Sequence, residues 1–205
     1  MTKIKAIVFD FAGVVTTHGI ENAIKHFWKI VPLWKLPVLL IFALFYLPKI
    51  EKGEITEVVA WRKSHWFLGK KTNIFELRDK ILEHFILNQE LIKEIKKLKP
   101  RYKIAMLTNN IEEWMDHFEN EFHLSKIFDP MLNSAEVGLR KPNPKIFKLL
   151  LSQLNLKPAE CLFVDDHRRN LWSAQSLGFK TLLFRNNRQF LNNLKKMLDN
   201  NKVSS

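Results

Sequence analysis

Three short apolar runs, each stopping at a polar cluster, set the main constraint on this chain of 205 residues. Lys3 to Phe9 (KIKAIVF) ends at Asp10, and Gly13 follows where a tight turn must leave a strand. Lys103 to Leu107 (KIAML) ends at Thr108-Asn109-Asn110, and Cys161 to Val164 (CLFV) ends at Asp165-Asp166. A fourth run, Lys180 to Phe184, and a weaker one near Met131 to Ser134 complete the strand signals. Helical patterns lie between them. Leu91 to Leu98 is apolar at 91, 92, 95 and 98, one face of a helix. Pro144 to Leu154 and Asn170 to Leu177 behave alike, and Gly178 stands where a helix-ending glycine belongs. Strands alternating with helices predict an α/β fold: a Rossmann-like parallel sheet with helices on both faces. Open sheets of this kind place their sites just past the strand ends, where the polar clusters gather here.

Between Val15 and about Asn88 the strand signals vanish and helix-length apolar segments replace them. The expected organisation is a core of residues 1–15 and 89–205, with a helical cap, 16–88, inserted after the first strand. Asn200 to Ser205 read as a frayed tail. Cys161 is the single cysteine, so no intramolecular disulfide and no cysteine-based zinc site can form, and a reducing cytoplasmic setting fits. The longest uncharged apolar stretch, Val38 to Leu47, is about half of a membrane-spanning helix.

Four segments then line up in order: FDFAGVV (9–15), MLTNN (106–110), GLRKPNPKIF (138–147) and FVDDHRRN (163–170). Together they resemble the four motifs of the haloacid dehalogenase-like hydrolases. EKGEIT (51–56) is similar to a recurrent segment of that superfamily's helical cap of the first type. Each residue taken alone has a plain role: a carboxylate after a strand caps a turn or helix, and a lysine before a proline is loop charge.

The resemblance implies a magnesium-dependent phosphatase acting on a small phosphorylated substrate. Asp10 would be the carboxylate nucleophile, giving an aspartyl-phosphate. A phosphate ester repels that carboxylate, and a divalent cation and Lys141 would remove the repulsion. Carboxylate oxygens suit magnesium, a hard ion. Direct ligands would be Asp10, Asp166 and the backbone carbonyl of Ala12, with Asp165 acting through water. Lys141, Thr108 and the backbone amide of Asn109 would hold the phosphoryl oxygens. Asn170 would order the aspartate loop, and Gly13 the turn after the nucleophile.

Ala12 departs from the pattern, since most phosphatases of the superfamily carry a second aspartate there to protonate the leaving group. General acid–base help is worth about 10²–10⁴-fold. Three readings stay open. The chain is similar to the glucose-1-phosphate phosphatase-like branch, which has a small residue at this position. A catalytically weak phosphate-binding or regulatory protein would keep the pocket without the acid. A phosphonoacetaldehyde hydrolase-like enzyme also carries alanine there, but needs a cap lysine for a Schiff base, for which Lys49 and Lys52 are in the right region. His18 and His167 are the histidines placed to replace the acid in part, since histidine titrates near neutrality.

The net charge of +12, with a pI near 9.8, draws anions in general. No zinc-finger spacing or RNA-binding aromatic signature accompanies it, so no nucleic-acid partner is expected. Val31 to Pro48 reads first as a buried cap helix. An apolar wall over the substrate, a dimer surface and a helix resting on a membrane remain open for it. Either a monomer or a homodimer is compatible with the sequence.

Overall fold

The structure is a computed structural model and describes residues 2–27, 44–68 and 73–199. Five strands form one parallel sheet: β1 (Ala6–Phe9), β2 (Lys103–Thr108), β3 (Met131–Asn133), β4 (Cys161–Asp165) and β5 (Lys180–Leu183), in the order β3-β2-β1-β4-β5. β1 lies at the centre, so its residues alternate between two buried faces. Ile7 and Phe9 join one apolar cluster, whereas Ala6 and Val8 join the other. The first face is covered by α5 (Gln89–Leu98), α6 (Glu112–Phe122) and α10 (Asn187–Asp199), through Leu91, Ile95, Phe118 and Phe190. The second is covered by α8 (Pro144–Leu154) and α9 (Arg168–Ser176), through Phe147, Leu150 and Leu171.

The strand register positions the site. Phe9 pairs with Met106 on one side and Val164 on the other. The next residues, Asp10 and Asp165, therefore leave adjacent strands side by side. α8 begins sharply because Asn143 caps it, accepting from Lys145 N at 3.0 Å, and Pro144 occupies its first turn. This start holds the Lys141–Pro142 segment at the sheet's polar edge.

Among the described residues between β1 and β2, all regular structure is helical: α1 (Gly19–Phe27), α2 (44–50), α3 (Glu57–Leu68), α4 (Ile74–Leu82) and α5. The two ends of the insertion are stitched together. Thr16 bridges Leu87, Thr17 N donates to Ile86 O, and Asn88 N donates to Val15 O. Most of the apolar stretch Val31 to Pro48 lies outside the described residues, as does the tail 200–205. No helix among the described residues is long and apolar enough to cross a membrane.

One buried carboxylate ties the insertion to the core. Glu57, at the start of α3, is 2% exposed and accepts from the indole N–H of Trp61 and of Trp114 on α6, both at 2.8 Å. Arg78 of α4 lies 3.8 Å from its other oxygen. Glu57→Ala would leave the buried Trp114 N–H without an acceptor. A loss of about 1–3 kcal/mol is expected from that donor alone. Urea unfolding of Glu57→Ala, with Glu57→Gln losing less, checks this.

Candidate active site

Asp10 follows β1, and its carboxylate is held from two sides. Its Oδ1 accepts from Phe11 N at 2.7 Å and lies 2.6 Å from Lys141 Nζ. Lys141 Nζ also donates to Asp165 Oδ2 at 2.9 Å. Lys141 is 2% exposed and Asp165 fully buried, so one ammonium sits between two carboxylates out of water. Burial alone disfavours the Lys141 charge, but Asp10 and Asp165 outweigh it and hold the ammonium above its ordinary range.

Asn109 pins the lysine loop. Its side chain donates to Lys141 O at 3.0 Å and accepts from Lys141 N at 2.8 Å. The sequence reading assigned a role only to the Asn109 backbone amide, and this side-chain brace was missed. Asn170 donates to both oxygens of Asp165 at 3.0 and 3.1 Å, and His167 N donates to Asp165 Oδ1 at 2.7 Å. Asp165 thus spends its oxygens on protein donors, whereas Asp166 stands at the surface of the cluster. His167 Nδ1 lies 2.8 Å from Asp166 Oδ1, and His18 Nε2 lies 3.4 Å from Asp166 Oδ2. Burial opposes ionisation of Asp166, yet the His167 contact and the His18 charge keep its carboxyl below the usual range. The Asp166 contact in turn raises the His167 imidazole to about 9.

Gly13 adopts a φ of 81°, in the left-handed region. A Cβ there would collide with the His18 ring and Asp166, so the bare turn leaves room for those two side chains to approach each other. Ala12 bridges Thr16 inside this turn and brings no polar side chain to the site. Thr108 closes β2 and is buried. A cavity of about 1050 Å³ opens above the cluster, and its wall includes Asp10, Ala12, His18, Asn109, Lys141 and Asn170. Thr108, Asp165 and Asp166 do not form part of that wall. Lys52 lines it but is 3.3 Å from Glu54, and Lys49 is exposed away from it.

Charge in this cluster is out of balance. Three carboxylates (Asp10, Asp165, Asp166) face the buried Lys141 ammonium and, at neutral pH, the His167 imidazolium. Burial, together with Asp165 and Asp166, pushes the Asp10 carboxyl up to about 7 despite Lys141. Asp165, Asp166 and His167 offer ligand atoms within 4.8 Å of one another. An oxygen-rich donor set with excess negative charge suits a hard divalent cation, so the residues present fit magnesium.

Two wall residues were missed as functional candidates. Glu51 and Arg140 approach to 2.6 Å across the insertion and the core. Both stood in quoted segments, EKGEIT and GLRKP, but nothing in a sequence pairs residues so far apart. Burial pushes the Glu51 carboxyl from 4.5 up to about 7, against the pull of Arg140 and Lys141. A raised carboxyl pKa stabilises the fold below the unfolded value, and that stability is lost as pH rises from about 4.5 to about 7. Glu51→Gln should therefore stabilise the protein at pH 8 by on the order of 2–3 kcal/mol and leave it nearly unchanged at pH 4. Chemical denaturation at the two pH values measures this.

Asn109→Ala removes both contacts that hold the Lys141 main chain. Crystallographic or amide-exchange analysis should show a loosened 139–142 loop, with protection unchanged in β1.

Comparison with known proteins agrees with the geometry. The model of one family, haloacid dehalogenase-like hydrolase, matches residues 4–178. The chain is 27% identical over 191 residues to the D-ribitol-5-phosphate phosphatase of Bacteroides thetaiotaomicron, covering 87% of this chain and 90% of that protein. It is 27% identical over 218 residues to bifunctional epoxide hydrolase 2 of Rattus norvegicus, covering 95% of this chain but only 39% of the rat protein. A solved structure of a predicted HAD-like family hydrolase from Porphyromonas gingivalis superimposes with a TM-score of 0.79 at 26% identity, covering 96% of this chain and 98% of that one. Motifs, sheet order and family match converge: the chain belongs to the haloacid dehalogenase-like hydrolases.

Proposed function

We propose that this protein is a magnesium-dependent phosphatase that hydrolyses a small phosphate monoester through Asp10. The observation that carries the reading is the buried triplet at the floor of the cavity, with Lys141 Nζ 2.6 Å from Asp10 and 2.9 Å from Asp165. An aspartate that opens on a cavity beside an anchored cation is arranged for attack on an anionic phosphorus centre. Asp10 Oδ attacks phosphorus, the bond to the leaving oxygen breaks, and an aspartyl-phosphate forms. Water then cleaves that phosphate and restores the carboxylate. Lys141 neutralises the phosphoryl oxygens during both transfers, and Thr108 and the Asn109 backbone amide donate to the same oxygens. Asn170 keeps Asp165 oriented toward Lys141. Asp10, Asp166 and the Ala12 carbonyl would hold magnesium directly, with Asp165 acting through water. The ion would supply charge neutralisation to the phosphoryl group.

Relatives support a phosphatase. One is the D-ribitol-5-phosphate phosphatase, and another is the glyceraldehyde 3-phosphate phosphatase of Pyrococcus furiosus, 33% identical over 90 residues. A HAD family enzyme of Bacteroides thetaiotaomicron, 23% identical with a TM-score of 0.74, was solved with magnesium and inorganic phosphate. The insertion serves as the cap that selects the leaving group. His18, beside the Ala12 turn, supplies part of the missing proton transfer.

Ala12 favours a second reading, a phosphate-binding protein with little turnover. Hydrolysis of para-nitrophenyl phosphate separates the two, since its leaving group needs little acid help. Magnesium-dependent turnover by wild type, abolished in Asp10→Asn, supports the phosphatase. Ala12→Asp should then raise the rate on alkyl phosphates by about 10²-fold or more. No wild-type turnover, with activity appearing in Ala12→Asp, supports the binding protein. A pH–rate profile unchanged in His18→Ala would remove that histidine from the mechanism.

A further inference from the structure

The cavity is larger than a phosphoryl group needs, and the insertion adds apolar side chains to its wall. Ile20 comes from α1, Leu47 from α2 and Phe85 from just beyond α4, and Leu139 joins them from the lysine loop. Ile20, Leu47 and Leu139 are only half-buried, and they face a space that a ligand can enter. Phe85 backs this wall, its ring packed on Phe11, Trp114 and Phe118. Gly19 also lines the cavity, and a Cβ there would stand 2.0 Å from the Phe85 ring. Glycine at this position keeps the ring at the wall.

The charged residues that the insertion brings to the same wall are already matched. Glu51 lies 2.6 Å from Arg140, Lys52 3.3 Å from Glu54 and Glu21 3.8 Å from His18. Their charges are answered within the protein, so the surface that the insertion leaves to a ligand is apolar. An apolar group placed there removes water from Ile20, Leu47 and Leu139. A second constraint comes from the reacting end. Ala12 lines the cavity beside Asp10 and has no proton to give. An alcohol oxygen depends on such a proton to leave, whereas a phenolic oxygen is a far weaker base and departs without it.

We infer that the leaving group is apolar and aromatic: the substrate is an aryl phosphate monoester whose ring lies against Ile20, Leu47, Phe85 and Leu139, which rests on the reading of Asp10 as nucleophile. In the first transfer Asp10 Oδ bonds to phosphorus. The bond from phosphorus to the aryl oxygen breaks, and its electron pair leaves on that oxygen. The phenolate then takes a proton from water. An alkyl chain would satisfy the wall alone, whereas an aryl oxygen satisfies both the wall and Ala12.

Calorimetric titration of magnesium-loaded Asp10→Asn protein with phenyl, cyclohexyl and glycerol phosphate tests the wall. Phenyl and cyclohexyl phosphate should bind about 10–100-fold tighter than glycerol phosphate. Leu47→Ser and Ile20→Ser should each narrow that gap, and Leu47→Met should keep it. Turnover by wild type tests the leaving group, since the phenyl and cyclohexyl esters differ little in size. The kcat for phenyl phosphate should exceed that for cyclohexyl phosphate by about 10²-fold or more, and Ala12→Asp should shrink that excess. Glycerol phosphate bound as tightly as phenyl phosphate, no binding of any of the three, a gap that neither serine variant moves, or equal turnover of the phenyl and cyclohexyl esters would overturn the inference. Failure of the phosphatase reading shows separately, as absent turnover of phenyl and para-nitrophenyl phosphate by wild type while the binding preference persists.

Discussion

The contact on which the site depends is the buried ammonium of Lys141 between the carboxylates of Asp10 and Asp165. Each of the three charges would be costly to bury alone. Together they form a compact group in which the two carboxylates hold the Lys141 ammonium charged despite its burial. Removing the lysine would leave two adjacent aspartates facing each other out of water. The sheet makes the contact possible, because β1 and β4 are neighbours in register and deliver both aspartates at the same edge.

Around that contact the molecule uses amide side chains as braces. Asn109 holds the Lys141 main chain from β2's end, and Asn170 holds both oxygens of Asp165 from α9. These neutral side chains orient charges without adding any. The remaining charge is unequal, with Asp166 turned outward toward His18 and His167. The cluster as a whole still carries more carboxylates than cations, and oxygen donors in excess are what a hard cation would satisfy. The left-handed turn at Gly13 clears the space in which these groups meet.

Much of the core was legible beforehand because burial leaves a clear mark on sequence. β4 and α8 fall where their apolar runs place them, and α8 has the predicted bounds, set by Asn143 and Pro144 at its start. Boundaries drifted where the polar ends carry no periodicity. The apolar run from Lys3 is longer than β1, which begins at Ala6, although Lys5 already bonds Glu160 and Lys103. α9 begins at Arg168 rather than Asn170, since its first turn is wholly polar. The insertion was the least legible part. Its segments are apolar without telling which surface each one covers, and the Glu57 clamp on Trp61 and Trp114 left no pattern to read.

Local sequence determined the strands, the helices over the sheet and the polar residues at the strand ends, because each depends on spacing within a single run. It also determined the absence of an acid at Ala12, which is a matter of one side chain. Tertiary structure decided which of those polar groups meet. The Asn109 grip on Lys141, the outward turn of Asp166 and the pairing of Glu51 with Arg140 all join residues distant in the chain. Such contacts follow from strand order and from how the insertion seats on the core. Those arise from the packing of many side chains at once, and no single stretch of sequence carries them.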